Sequence, residues 1–248
     1  GGKLTLIDSA DGKFTATDLR DTILGEETRG VHGPQRGPVS ITQLTELGTA
    51  YQLDEIKDIC AVAKAFDLPV HLDGARFANA LTALGCTPAE MTWKAGVDAV
   101  SFGGTKNGLM GVEAVIFFDP KHAWEFELRR KRGAHLFSKH RYLSTQMETY
   151  LTDDLWLETA KSANDAARYF ADELAKSDSV EFDHPVDGNM IFAKFPRAAH
   201  QRLQDAGAVY YVWEGALEGD NPDALLTARL VCDWNTSKDA IDAFVAHI

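Results

Sequence analysis

The first half of the chain switches repeatedly between two hydrophobic spacings. Residues 53–67 carry apolar side chains three or four positions apart, which predicts one buried face of a helix. The next residues, LPVHLD at 68–73, form a short apolar run that is typical of a buried strand. The same order recurs in ARFANALTAL (75–84), a predicted helix, and VDAVSF (97–102), a predicted strand. Strands that alternate with helices indicate an α/β fold with a mainly parallel sheet covered on both faces.

Turn and cap signals complete the prediction for this half. Thr87, Pro88 and Glu90 form a helix-start signature with a cap, a first-turn proline and a capping-box glutamate. Gly85 is placed to end the preceding helix. Further predictions are a strand at KLTLID (3–8), a helix at 15–23, a Gly- and Pro-rich loop at 25–42 that ends in a strand at 39–41, and a strand at EAVIFF (113–118).

The second half has a different pattern. Residues 121–176 predict a long helical stretch with breaks near Gly133 and Thr152. Several strands flanked by helices follow, which is typical of a smaller α+β domain. We therefore predict a large domain at 1–150 and a small C-terminal domain at 151–248. The predicted elements after the helical stretch are strands at 180–186, 190–196, 209–213 and 226–234, a helix at 198–206, and a final helix capped near Thr236 or Ser237, with the aromatic run YYVW (210–213) in the small core.

Composition narrows the classes of function. The 248 residues are 45% hydrophobic and 25% charged, with a formal net charge of −12, which argues against nucleic acid and anionic membranes as partners. No apolar run approaches the length of a membrane span. Three scattered cysteines indicate reduced thiols in a reducing compartment, and we expect a cytoplasmic protein. The sequence has no metal-ligand spacing such as HExxH and no GxSxG nucleophile motif.

Chemistry-bearing side chains follow two of the predicted strands. Asp73 ends one strand, and SFGGTKNG (101–108) ends the next and carries Lys106. Ligands of such sheets bind beyond the carboxyl ends of the strands. One interpretation is an ion pair between Asp73 and Lys106 at the sheet edge. The other is a pyridoxal-phosphate site, in which the lysine forms a Schiff base with the cofactor and the aspartate pairs with the pyridine nitrogen.

HLDGARFANA (71–80) followed by SFGGTKNG resembles the threonine aldolase and beta-eliminating lyase family of fold-type I pyridoxal-phosphate enzymes. The segments 39–56, 138–146 and 228–237 also resemble its low-specificity threonine aldolase branch. The resemblance runs through the whole chain. It implies a fold-type I large domain with a smaller C-terminal domain. The N-terminal part of the family pattern, with its phosphate loop and its ring stacked on the cofactor, has no counterpart before KLTLID.

The resemblance implies a role for five residues by position. Lys106 would carry pyridoxal 5'-phosphate as a Schiff base, Asp73 would pair with the pyridine nitrogen, and Arg76 would lie near the ring hydroxyl. Arg229 would bind the substrate carboxylate, for which a planar guanidinium is suited. Arg141 is a weaker match for an arginine near the cofactor phosphate, including one from a neighbouring subunit.

The implied activity is cleavage of L-threonine, L-allo-threonine and other β-hydroxy-α-amino acids to glycine and an aldehyde. The residue that takes the β-hydroxyl proton is left open. Alternatives are a beta-eliminating lyase or an aminotransferase with the same cofactor, and a non-catalytic α/β scaffold in which Asp73 and Lys106 form a structural pair. The resemblance also implies a homodimer or homotetramer that takes a small amino acid as substrate.

Overall fold

A computed structural model describes residues 2–26 and 30–248 and contains two separate four-stranded sheets. The first sheet has the order β1-β2-β3-β4, with its first three strands parallel and β4 antiparallel to β3. This arrangement confirms the predicted mainly parallel sheet. The elements of this region are α1 (Ala16–Gly25), β1 (Val39–Thr42), α2 (Leu53–Ala65), β2 (Val70–Gly74), α3 (Phe77–Leu84), α4 (Pro88–Met91), β3 (Ala99–Gly103) and β4 (Glu113–Phe117).

Local signals in the sequence determine where several of these helices begin and end. Thr15 caps α1 in a complete capping box with Asp18, and Thr87 caps α4 in the same way with Glu90. Gly85 ends α3 at a φ of 62°, a left-handed conformation that favours glycine. These contacts satisfy backbone groups that a helix terminus leaves without partners.

The second sheet is antiparallel, with the order β5-β6-β8-β7. Three helices precede it, which confirms the predicted helical stretch and its two breaks. The elements are α5 (Ala123–Arg132), α6 (Arg141–Leu151), α7 (Leu155–Leu174), β5 (Glu181–Phe182), β6 (Met190–Pro196), α8 (Arg197–Asp205), β7 (Tyr211–Glu214), β8 (Leu225–Val231) and α9 (Lys238–Val245). Ser237 caps α9, as one of the two predicted candidates.

Each sheet has its own hydrophobic core. Ile41 and Leu72 represent the first core, and Ile191 and Phe195 represent the second. All four side chains are at most 1% exposed. The helix α7 reaches both cores, because Trp156 packs at the edge of the first and other α7 residues lie in the second. The domain boundary near residue 150 stays a prediction.

One sequence prediction is wrong, and two others are only partly right. Residues 3–8 form no strand, and Leu4 and Leu6 are 89% and 85% exposed because no described strand lies beside them. The YYVW run is only partly in the core, since Tyr211 and Trp213 are exposed on β7. The strand predicted at 180–186 is limited to β5. Part of the loop predicted at 25–42, namely 27–29, lies outside the described residues.

Among the residues that the structure describes, no helix is both long enough and apolar enough to cross a membrane.

Candidate functional site

The site begins at the carboxyl ends of the parallel strands β2 and β3. Asp73 pairs in register with Ser101 of β3, so the two strand ends are neighbours. The carboxylate of Asp73 accepts a hydrogen bond at 3.0 Å from the backbone N–H of Ala75. This bond closes a tight turn after the strand, and half-buried Asp73 stays at the strand end.

Gly103 brings the second strand end against this turn. A Cβ at position 103 would lie 2.6 Å from the carbonyl oxygen of Ala75, closer than side chains tolerate. Only glycine therefore allows the backbone before Lys106 to contact the backbone after Asp73. The HLDGAR and GGTKN segments, which are distant in sequence, form one surface for this reason.

The turn that carries Lys106 is fixed on both sides. Asn107 is buried, and its side-chain amide donates to the Tyr150 hydroxyl at 2.6 Å and to the Trp156 carbonyl at 2.8 Å. The carboxylate of Glu113 accepts from the backbone N–H groups of Gly104 and Thr105, each at 3.2 Å. Lys106 itself is exposed, so a rigid turn presents a side chain that is free to move.

Arg76 lies in the wall of the site. The residue is 6% exposed, and its Nε has no hydrogen-bond partner among the described residues. Burial lowers the pKa of Arg76, the negative charge of Glu46 opposes that shift, and the positive charge of Arg229 adds to it. The charges of these three residues therefore act on one another, although Arg229 belongs to the second sheet.

Arg229 lies in the middle of β8, opposite Phe192 of β6 and Tyr211 of β7. Its Nη2 donates to the Glu46 carboxylate at 3.4 Å, and its guanidinium lies 5.7 Å from the Trp213 ring centre. Its Nε is buried, and no residue in the described part of the chain accepts a hydrogen bond from it. The guanidinium is thus held at the junction of the two sheets with donor capacity to spare.

Arg141 lines a cavity beside the Lys106 turn. It begins α6 and is exposed, with its guanidinium 4.9 Å from the Tyr142 ring centre. Arg141 and Gly108 line the same cavity of about 570 Å³. Because Gly108 follows Lys106 by two residues, this cavity brings Arg141 close to the end of the Lys106 turn.

The structure thus brings the turn that holds Asp73 and Arg76 against the backbone before Lys106, and it couples the charge of Arg76 to that of Arg229. Within residues 2–26 and 30–248, the structure shows no ion pair between Asp73 and Lys106, whereas the structural-pair interpretation requires one. Sequence reasoning missed Glu46, because nothing in the loop TQLTELG marks this residue. It also assigned Trp213 to the core, because an aromatic run in a strand gives the same pattern in either place.

The sequence pattern of the family described as beta-eliminating lyase matches residues 1–196, well over half of the chain. The chain belongs to the beta-eliminating lyase family. This result confirms the resemblance, and the solved structures of the family confirm the predicted fold class. Threonine aldolase from Leishmania major has a TM-score of 0.86 and is 26% identical, over 99% of this chain and 69% of that one.

Two relatives in sequence are each described as a low specificity L-threonine aldolase. The protein from a Pseudomonas species is 39% identical over 100% of this chain and 68% of its own length. The protein from Pseudomonas aeruginosa is 40% identical over 97% of this chain and 66% of its own length. This chain therefore spans about two thirds of the length of these relatives.

Proposed function

We propose that this chain belongs to a pyridoxal-phosphate-dependent lyase with threonine aldolase activity. The reaction cleaves L-threonine, L-allo-threonine and related β-hydroxy-α-amino acids to glycine and an aldehyde. The observation that carries the proposal is the contact between the turn after Asp73 and the backbone before Lys106. Arg76 follows that turn, and its charge interacts with that of Arg229 in the second sheet. The names of the two Pseudomonas relatives support the choice of reaction.

The residues present fit this cofactor. Lys106 is exposed at a fixed turn, and in the described chain it has no carboxylate partner that would occupy its amine. Arg76 offers a buried Nε–H that has no acceptor, which a ring oxygen substituent would satisfy. Asp73 supplies the carboxylate that a protonated pyridine nitrogen requires.

Each side chain would hold a different part of the cofactor. Lys106 would bind the aldehyde carbon through its Nζ, and Asp73 would hold a proton on the ring nitrogen. Arg76 would donate to the ring hydroxyl, and Arg141 would contact the phosphate. When bound, pyridoxal 5'-phosphate supplies an electron sink for the bond that breaks at the substrate α-carbon.

Arg229 would determine which bond breaks. A guanidinium that holds a carboxylate through two parallel hydrogen bonds fixes the rotation of the substrate about its α-carbon. Orientation of this kind contributes directly to the rate, because the reacting bond must be aligned with the electron sink. Burial against β6 and the ring of Trp213 would keep the guanidinium in place.

Product analysis of the whole protein tests this proposal. With L-threonine and the cofactor, we expect glycine and acetaldehyde in equal amounts. A keto acid and ammonia would instead identify a beta-eliminating activity, and the absence of turnover on a folded, cofactor-loaded protein would contradict the proposal.

We further propose that the whole protein is a cytoplasmic homodimer or homotetramer. Several large apolar side chains on β4 and α5 are exposed, including Val115 and Trp124, which is consistent with a covered surface in the whole protein. Light scattering after size-exclusion chromatography would measure the subunit number, and a monomer at micromolar concentration would contradict this assignment.

A further inference from the structure

A tight turn after β1 holds Glu46 at its tip. The backbone N–H of Gly48 donates to the Thr45 carbonyl at 3.0 Å, and the hydroxyls of Thr45 and Thr49 lie 2.7 Å apart. Both threonines are 1% exposed, whereas the side chain of Glu46 is 63% exposed. The backbone under Glu46 is therefore fixed, and its carboxylate is free to change position.

The same loop packs against the second sheet. Gly48 has a φ of +80°, and a Cβ there would lie 3.1 Å from the Cβ of Met190 on β6. Two residues later, the backbone N–H of Ala50 donates to the Asp187 carboxylate at 2.8 Å. These contacts explain why Glu46, which follows β1 of the first sheet, reaches Arg229 in the second sheet.

Glu46 satisfies Arg229 only in part. The contact is a single bond of 3.4 Å from Nη2, and the buried Nε has no hydrogen-bond partner. A guanidinium binds a carboxylate best through two parallel hydrogen bonds of about 2.7–2.9 Å. A carboxylate that is free to adopt this geometry would therefore bind Arg229 better than Glu46 does.

The charges immediately around Arg229 favour a ligand with one carboxylate at this position. Arg76 and Arg229 contribute two positive charges, and Glu46 contributes one negative charge that acts on both. With one substrate carboxylate bound, the net charge of this group, counting the carboxylate, is zero. A second carboxylate would leave an excess of negative charge beside Glu46, which is repulsive in a partly buried site.

We propose that Glu46 is a specificity-determining residue that the substrate carboxylate displaces from Arg229. In the absence of substrate, Glu46 partly neutralises Arg229. With substrate bound, Glu46 stays close to Arg229, and its negative charge disfavours amino acids with a second carboxylate. This inference rests on the proposed role of Arg229 in substrate binding.

The test is calorimetric binding of propionate and malonate to the whole, cofactor-loaded protein. Neither ligand has an amino group, so neither can react with the cofactor. Both therefore report only on carboxylate binding at Arg229. In Glu46→Gln we expect propionate to bind about threefold more tightly, because its competitor has lost its charge, and malonate about tenfold more tightly. Glu218→Gln is the control, since Glu218 is also exposed and lies in the loop between β7 and β8.

Arg229→Gln separates this inference from the proposed function. If Arg229→Gln weakens propionate binding and Glu46→Gln leaves both ligands unchanged or weaker, the role of Glu46 is wrong and that of Arg229 stands. If Arg229→Gln leaves propionate binding unchanged, the substrate-binding role itself is wrong. When both residues are replaced, we expect the effect of Glu46→Gln to disappear, because its target is gone.

Discussion

The two sheets contribute to the candidate site in different ways. In the first sheet, which is mainly parallel, Asp73 and Lys106 lie at or beyond the carboxyl ends of strands, on turns shaped by glycine. In the second sheet, which is antiparallel, Arg229 lies in the middle of β8 with strands on both sides. The first sheet would therefore hold the cofactor on turns, and the second would hold the substrate carboxylate from a strand.

This difference has a physical basis. Parallel strands all end at one edge of the sheet, so neighbouring turns bring side chains together there. An antiparallel sheet has no such edge, and it offers one face of its strands instead. Asp73 and Lys106 are therefore placed by turns and Arg229 by its strand, and Glu46 connects the two sheets through its contact with Arg229.

The largest expected effect is on the first sheet. Lys106→Ala removes the amine that would bind the cofactor, so we expect kcat/KM for L-threonine to fall by roughly a thousandfold or more. The thermal unfolding midpoint should stay near that of wild type, because Lys106 is exposed. Lys121→Ala is the control, since this exposed lysine forms a surface ion pair with Asp119. Wild-type turnover in Lys106→Ala would contradict the proposal that the first sheet holds the cofactor.

Loss of the arginine on the second sheet should act on substrate binding. Hydrogen bonds to charged groups contribute about 1.5–3 kcal/mol, so Arg229→Gln should raise KM by roughly 10- to 150-fold. Arg229→Lys should recover part of this effect, because a lysine keeps the charge and loses the paired bonds. Steady-state kinetics would measure both, with Arg168→Gln as a surface control. An unchanged KM in Arg229→Gln would contradict the assignment.

The contact between the two turns of the first sheet should be sensitive to one methyl group. A Cβ at position 103 meets backbone atoms of Ala75, so we expect Gly103→Ala to lower the free energy of unfolding by about 1–3 kcal/mol. Gly37→Ala should change it by less than about 1 kcal/mol, since a Cβ there meets nothing within 4 Å. Urea unfolding would compare them. Equal stability of the two variants would show that the turns are not in close contact.

A smaller effect should arise in both cores at high pH. Burial raises the pKa of Cys60 to about 11 and of Tyr51 to about 12 in the first core. It raises the pKa of Cys232 and Tyr210 to about 12 in the second. The folded protein keeps these protons longer than the unfolded chain, so stability falls as the pH rises from about 9 towards 12.

Urea unfolding at pH 8 and pH 10.5 would measure this fall. Cys232→Ala should show a shallower fall than wild type, because one of the buried protons is absent from the balance. An identical pH dependence in the two proteins would mean that Cys232 ionises as readily in the folded protein as in the unfolded chain.

Much of the first region could be predicted from the sequence, because its helices have caps such as Thr15 and Thr87 and its strands are short apolar runs. The absence of a strand at 3–8 could not be predicted, since an alternating pattern forms a strand only beside a neighbouring strand, and spacing does not reveal whether one is there. Glu46 could not be found either, because its importance comes from a contact with Arg229, which is 183 positions away.

The central claim is that Lys106 carries the cofactor, and borohydride reduction of the whole, cofactor-loaded protein tests it most directly. The reagent fixes a Schiff base as a stable amine, and peptide mass mapping then locates the modified residue. We predict a pyridoxyl group on the peptide that contains Lys106 and none in Lys106→Ala. A well-folded protein with no adduct at Lys106, or with the adduct on another lysine, would contradict the account.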